Sequence, residues 1–251
     1  MITIAFWFIA GNPVLANEIP SFKVNNAVSK AISLPKAEKE ERWNMAPRVT
    51  RAGFFRFLGE DLEDPTWTEF YIKRFSEKGE PLPIRLALLD LILRSGGDWS
   101  SSMYKYLGIE EEPSIRAAII DMTKRLEAEE AIAFIDIAIT DDSPEVRSAA
   151  MRALGNHMDI DRSVELIAAL GDPSDQVRLM AIRTIGWTKD RNAIPALTAF
   201  LGDKNGMIRL KSLYALDKVD PNEAKLQATN FKLDIDQSSQ VRRLSKRILS
   251  K

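Results

Sequence analysis

His157 is the single imidazole in a chain of 251 residues that contains no cysteine. Without a thiol there is no thiolate nucleophile, no disulfide and no Cys-ligated metal. A Ser-His-Asp triad would have to use His157 as its base. That residue follows Gly155-Asn156 in what reads as an inter-helix loop, and no G-x-S-x-G nucleophile motif occurs. It therefore reads as a polar surface residue. No G-x-G-x-x-G or Walker-type loop is present to cradle a phosphate. Acids do cluster, at Asp141-Asp142 and Glu110-Glu111-Glu112. One reading is a cation site. The other is that they lie in turns just ahead of helices, where negative charge is favoured, and this is the reading adopted.

The chemistry that recurs is guanidinium against carboxylate. An aliphatic residue followed by arginine occurs at Ile84-Arg85, Ile115-Arg116, Val146-Arg147, Val177-Arg178 and Ile208-Arg209, each arginine 31 residues after the last. A further copy, Val241-Arg242, follows after 33. Six positions before the arginine stands an acid: Glu110, Asp141, Asp172, Asp203 and Asp236, with Gly79 in the first copy. An arginine's rigid fork of donors suits such a partner, within one repeat or in the next. A ligand clamp rarely recurs in every unit of an array, whereas a stacking device must. Arg116, Arg147, Arg178, Arg209 and Arg242 with their acids are therefore expected to form a structural ladder.

The elements that position this ladder follow from the same period. Self-similarity at this length marks stacked helical units. First helices of the units are expected over Thr66–Ser76, Asp98–Leu107, Glu127–Thr140, Arg162–Leu170, Ala193–Leu201 and Asn222–Leu233. Second helices begin near Pro83, Ser114, Pro144, Ser174, Met207 and Ser239. Ser143-Pro144 supplies an N-cap and a first-turn proline. Gly155 and Gly186 are expected to stop their helices. Offsets of one before, three after and seven after each arginine predict one buried stripe, including Val146, Ala150 and Leu154 in one unit and Val177, Ala181 and Ile185 in the next.

The stretch D-P-S-D-Q-V-R-L-M-A-I-R-T-I-G at Asp172–Gly186 and D-S-P-E-V-R-S-A-A-M-R-A-L-G at Asp142–Gly155 resemble the HEAT repeat superfamily, in the short form called the phycobilisome-lyase HEAT-like repeat. The resemblance runs from about Pro65 to the end. It implies an all-α, right-handed α-solenoid of about six two-helix repeats over 64–251, with a diverged N-terminal extension and cap helix over 17–63. Members of the superfamily act chiefly as scaffolds and adaptors. The di-iron hydroxylases of this fold need several His-Glu pairs, which one histidine cannot supply. Their DNA glycosylase counterparts need a strongly basic face, and the formal charge of −1 does not provide a strong one.

Residues 1–16 carry an apolar run too short to span a bilayer, closed by Val14-Leu15-Ala16, a small-residue cleavage pattern. They are read as a secretory signal with Asn17 as the mature start, which implies an exported, periplasmic protein and argues against a bilin-lyase role. No basic residue precedes the run, and the alternative is a buried N-terminal segment in a cytoplasmic protein. An aromatic concentration follows, from Trp43 through Phe54, Phe55, Phe57, Trp67, Phe70, Tyr71 and Phe75 to Trp99, Tyr104 and Tyr106. Its spacing suits the core of the cap, with a ligand groove as the alternative.

Five and nine residues after the ladder arginines lie Arg152, Arg183, Trp187, Tyr214, Lys218 and Arg247. Offsets that differ by four share a helix face. The resemblance puts the second helices on the concave side. These residues are the expected binding surface for an unidentified protein, with an acidic segment suited to it. No cofactor, nucleic acid or stable membrane insertion is expected. The alternatives are an enzyme or accessory factor of an envelope pathway, or an anionic-polymer binder. A scaffold should tolerate His157→Ala; a His-dependent enzyme should not.

Overall fold

The computed structural model describes residues 36–45, 65–77, 79–158 and 161–250. The expected signal over 1–16, the rest of the expected extension and cap over 17–35 and 46–63, with Phe54, Phe55 and Phe57, and Lys251 lie outside the described residues. Among the described residues every element is helical. The chain forms two compact units, Met1–Met103 and Tyr104–Lys251.

The first unit contains α1 (Lys36–Met45), a 3-10 turn (Pro65–Trp67), α2 (Thr68–Phe75) and α3 (Leu82–Ser95). Its aromatics pack on one another. Trp67 stacks on Tyr71 at 5.7 Å and meets Phe70 edge-on at 5.3 Å, and Trp43 meets the other edge of that cluster at 6.2 Å from Phe70. Trp43, Trp67, Tyr71, Phe75 and Trp99 are buried, so these rings are core. The Thr68 and Ser95 hydroxyls, 2.6 Å apart, tie α2 to α3. Helix α3 ends at Gly96, whose φ of 76° is a left-handed conformation open to a residue without Cβ. Arg85, whose repeat has Gly79 in place of the acid, lies with its guanidinium 4.6 Å from the Phe75 ring.

Helix α4 (Ser100–Leu107) carries the chain into the second unit. There follow α5 (Pro113–Met122), α6 (Ala128–Ile139), α7 (Pro144–Asn156), α8 (Ser163–Ala169), α9 (Asp175–Thr188), α10 (Ile194–Ala199), α11 (Gly206–Val219), α12 (Pro221–Asn230) and α13 (Ser239–Leu249). The second helices start where capping chemistry stands. Ser143, Asn205 and Ser238 each accept a backbone amide of the first helical turn. Pro113 and Pro144 occupy first-turn positions whose N–H would have no helical partner. Each motif acid then accepts the amide two residues on: Glu110 from Glu112, Asp141 from Ser143, Asp172 from Ser174, Asp203 from Asn205 and Asp236 from Ser238. This carboxylate-to-backbone bond shapes the turn that launches every second helix.

These second helices, α5, α7, α9, α11 and α13, stack directly on their neighbours. Their contact stripe is the one the offsets from arginine define. Ile115, Val146, Val177, Ile208 and Val241 are buried, as are Ile119, Ala150, Ala181, Ser212 and Ser245. The small residues let the backbones approach closely. Two glycines do not stop helices as expected. Gly155 lies within α7 and Gly186 within α9. A Cβ on Gly186 would stand 3.2 Å from the Cα of Ala215, and one on Gly155 would meet Thr184 at 3.1 Å. They are points of close approach between helices. The left-handed residue that closes α9 is Lys189, with φ 56°.

Candidate functional site

The motif arginines sit in the first turn of each second helix and reach two turns at once. Each donates through one nitrogen to backbone carbonyls of its own turn: Arg116 to Glu110 and Glu111, Arg147 to Asp141 and Asp142, Arg209 to Asp203 and Lys204. The link inside a repeat thus runs to the acid's main chain. The acid's carboxylate serves the arginine of the preceding repeat. Arg116 holds Asp141 in a two-pronged pair at 2.7 and 2.8 Å. Arg147 holds Asp172 at 2.8 and 2.9 Å, and Arg209 holds Asp236 with both bonds at 2.7 Å. These side chains are 9–16% exposed. Burial raises the Asp141 carboxyl's pKa, but Arg116 and the Ser143 amide outweigh it and leave it below the usual carboxylate range. Their arginines hold Asp172 and Asp236 below that range too.

One rung is absent. Arg178 donates to the carbonyls of Asp172 and Pro173, and its carboxylate partner is Asp175 within the same helix. Asn205 Nδ2 bonds the other oxygen of Asp175 at 2.7 Å. Among the described residues Arg178 and Asp203 form no ion pair. At Arg242 the described contacts are to the carbonyls of Asp236 and Gln237.

Farther along the same helices a second set of bonds joins neighbours. Thr184 Oγ1 donates to the Met151 carbonyl at 3.0 Å. His157, expected at the surface, is 7% exposed, and its Nε2 donates to the Thr123 carbonyl at 3.1 Å. Helix α7 continues to Asn156 and turns the imidazole back onto α5. His157 is therefore a structural side chain, and tolerance of His157→Ala no longer separates scaffold from enzyme.

The expected binding residues fall into two groups. Arg152 forms a two-pronged pair with Asp121, both bonds 2.8 Å, which answers its charge inside the protein. The two occupy equivalent positions 31 residues apart, a signal present in the sequence. Burial pushes the Asp121 carboxyl up against the pull of Arg152. The other five residues are exposed. The Arg183 guanidinium lies 4.3 Å from the Trp187 ring, and Lys218 Nζ lies 5.6 Å from the Tyr214 ring. Trp187 is 44% and Tyr214 46% exposed. Arg247 stands on the exposed side of α13. Lys211, Arg243 and Lys246, which lie outside the expected set, share the exposed sides of α11 and α13 at other offsets; the last two also suit the basic end of a final helix. Among the described residues no group of three or more His, Asp or Glu side chains could hold a metal ion. Glu110 and Glu112 are engaged by backbone amides, and Asp141 by Arg116.

Stacked helix pairs joined by a periodic arginine ladder define a helical repeat solenoid. Residues 163–243 match the family model described as HEAT repeats. The solved structure of YibA from Escherichia coli is similar over 93% of this chain and 100% of its own, at 15% identity and a TM-score of 0.56, which shows the fold alone. A designed armadillo repeat protein in complex with the peptide (KR)4 aligns over 89% of this chain and 97% of its own, at 15% identity and a TM-score of 0.44, too distant a likeness to carry an argument. No curated protein matches. Repeats of this superfamily are protein-binding scaffolds in general and typically non-catalytic. No described helix is long and apolar enough to cross a membrane.

Proposed function

We propose that this protein is a non-catalytic scaffold of the bacterial cell envelope that receives a protein partner on the face formed by α9, α11 and α13, with α7 at its margin. The observation that carries the reading is the pair of cations laid on exposed aromatic rings, Arg183 on Trp187 and Lys218 on Tyr214. Arginine, tryptophan and tyrosine dominate binding hot spots. The close approach of these helices through Gly186 and Ala215 supports placing them on the inner, concave side of the array. Export rests on the V-x-A pattern that ends at Ala16, and the division into 1–16, 17–63 and 64–251 on the motif period. With its one imidazole buried against a carbonyl, the chain offers no placed general base of that type.

The test is capture from envelope extract by the chain Asn17–Lys251, beside the same chain carrying Arg183→Ala, Trp187→Ala and Lys218→Ala. A protein held by the first and lost by the second, with both folded by circular dichroism, supports the reading. Equal capture by the two removes the face, and capture by neither removes the scaffold role.

A further inference from the structure

The motif arginine of α13 is oriented like the others but faces no acid. Arg242 donates through Nη1 to the carbonyls of Asp236 and Gln237 in its own turn. Arg116, Arg147 and Arg209 are anchored by the same nitrogen to the same two carbonyls of their turns. In those three, the Nε and Nη2 edge carries a carboxylate of the next turn, with bonds of 2.7–2.9 Å. The same edge of Arg242 meets no carboxylate among the described residues. A fork already held by two carbonyls loses little freedom when a partner arrives.

The side of α13 around that edge also departs from its counterparts. Four residues past the motif arginines stand Leu89, Ile120, Met151, Ile182 and Leu213, each 2% exposed or less. In α13 that place belongs to Lys246, which is exposed. One residue past the arginines, Ala117 and Ser148 are buried, whereas Arg243 is exposed. Positions four and eight past the arginine share a helix side. The eighth faces the following helix: Gly155 approaches Thr184 of α9, and Gly186 approaches Ala215 of α11. The forward side of α13 thus presents Arg242, Arg243 and Lys246 where its predecessors bury aliphatic side chains. A lysine there does not suit a further stacked helix, because its ammonium would lose its water.

Three neighbouring cations select an anionic partner. The fork selects the group. Its two parallel N–H donors match a carboxylate, and every equivalent fork that is filled holds the aspartate of a helix-launching turn. A second copy of this chain does not supply one in register. Continuing the period would bring position 79 to the fork, and that residue is Gly79. Two α13 ends set face to face would oppose like charges.

We propose that the forward side of α13 is a docking site for a different protein, in which Arg242 takes an aspartate from a helix-launching turn. The site uses other columns of the helix than Arg183 and Trp187, so either can fail without the other.

The experiment follows the arginine Nε–H signals of the 15N-labelled chain Asn17–Lys251 by NMR, at fixed low salt. The probe is the capped hexapeptide Asp-Asp-Ser-Pro-Glu-Val, the turn whose first aspartate fills the Arg116 fork. The control, Asn-Asp-Ser-Pro-Glu-Glu, has the same charge without that aspartate. Inorganic phosphate is a separate competitor. The expected result is a saturable shift of the Arg242 signal, with about tenfold weaker affinity for the control. The signals of Arg116, Arg147 and Arg209 should stay in place, because their edges are filled. Arg242→Lys keeps the charge without the fork and should weaken binding about tenfold, read from the backbone amides of α13. Lys246→Glu, at an exposed position, should weaken it severalfold. An unchanged melting curve verifies the fold of each variant. Equal affinity for the two peptides overturns the fork as receptor. Equal shifts at Arg183, Arg243 and Arg242 overturn the site, and tighter binding of phosphate at Arg242 overturns the carboxylate class. No shift at Arg242 overturns the proposal and leaves the capture experiment, whose variants lie in other columns, to decide the inner face.

Discussion

Arginine stands on two edges of the same helices with opposite fates. At the first turn Arg147 and Arg209 are nearly enclosed, each held by two carbonyls of its own turn and a carboxylate of the next. Farther along, Arg183 lies exposed over an indole and forms no ion pair among the described residues. The difference is whether a carboxylate travels with the repeat. Where it does, as at Arg147 and Arg209, the guanidinium becomes part of the stacking, with Arg178 the exception. Where it does not, the charge stays available. Arg152 marks the boundary. It occupies the outer column, yet Asp121 at the equivalent position one repeat earlier draws it into the structure.

Acid should separate the two edges most strongly. Asp141, Asp172 and Asp236 have folded pKa values below those of the unfolded chain. Their contribution is fully present well above the unfolded value of about 3.9 and is lost as pH falls through the lower folded values. Denaturant midpoints should therefore drop steeply below about pH 4. Arg147→Leu should flatten that dependence, and Arg183→Ala should leave it unchanged. Equal curves for the two variants would erase the distinction.

Single rungs come next. Asp172→Ala strands the nearly enclosed Arg147 guanidinium and removes the bond to the Ser174 amide. It should cost about 3 kcal/mol in chemical denaturation. His157→Ala leaves the Thr123 carbonyl without its donor and should cost about 2 kcal/mol. Smallest is the contrast within the outer column. Arg152→Ala should lose about 1 kcal/mol, since its pair with Asp121 is about one-third exposed. Arg183→Ala should stay within about 0.5 kcal/mol. A loss at Arg183 as large as at Arg152 would mean that its ring contact stabilises the fold.

Much of the architecture is legible in the sequence because its determinants are local. Turn acid, capping residue, first-turn proline and arginine lie within a few residues, so Pro144 and Ser239 as helix starts follow from the motif alone. What is not legible depends on the neighbouring unit. Gly186 gives the local signal of a helix end, and only Ala215, in the next helix, shows that it marks a close approach. His157 follows a glycine and an asparagine like any loop residue, while its acceptor lies 34 residues earlier. The choice of Arg178 for Asp175 over Asp203 also escapes sequence reading. Arg209 reaches Asp236 across 27 residues where the other rungs span 25, so spacing alone does not decide which rungs close. For the site, residue type and offset find the aromatics and their cations. The same 31-residue step, from Asp121 to Arg152, marks the outer-column cation that the protein neutralises itself.

The absent rung has a consequence for how the protein comes apart. In a linear array an opening travels until it meets an interface that costs too much to break. The junction between α9 and α11 lacks the arginine bridge present at the junctions before and after it. Amides of α11, α12 and α13 should then share one exchange rate, faster than that of α5 to α7, and reveal a cooperative block that unlatches while the rest stays closed. The cationic face straddles that seam, so a ligand gripping both Arg183 and Lys218 would act as the missing staple and slow the exchange of the whole block.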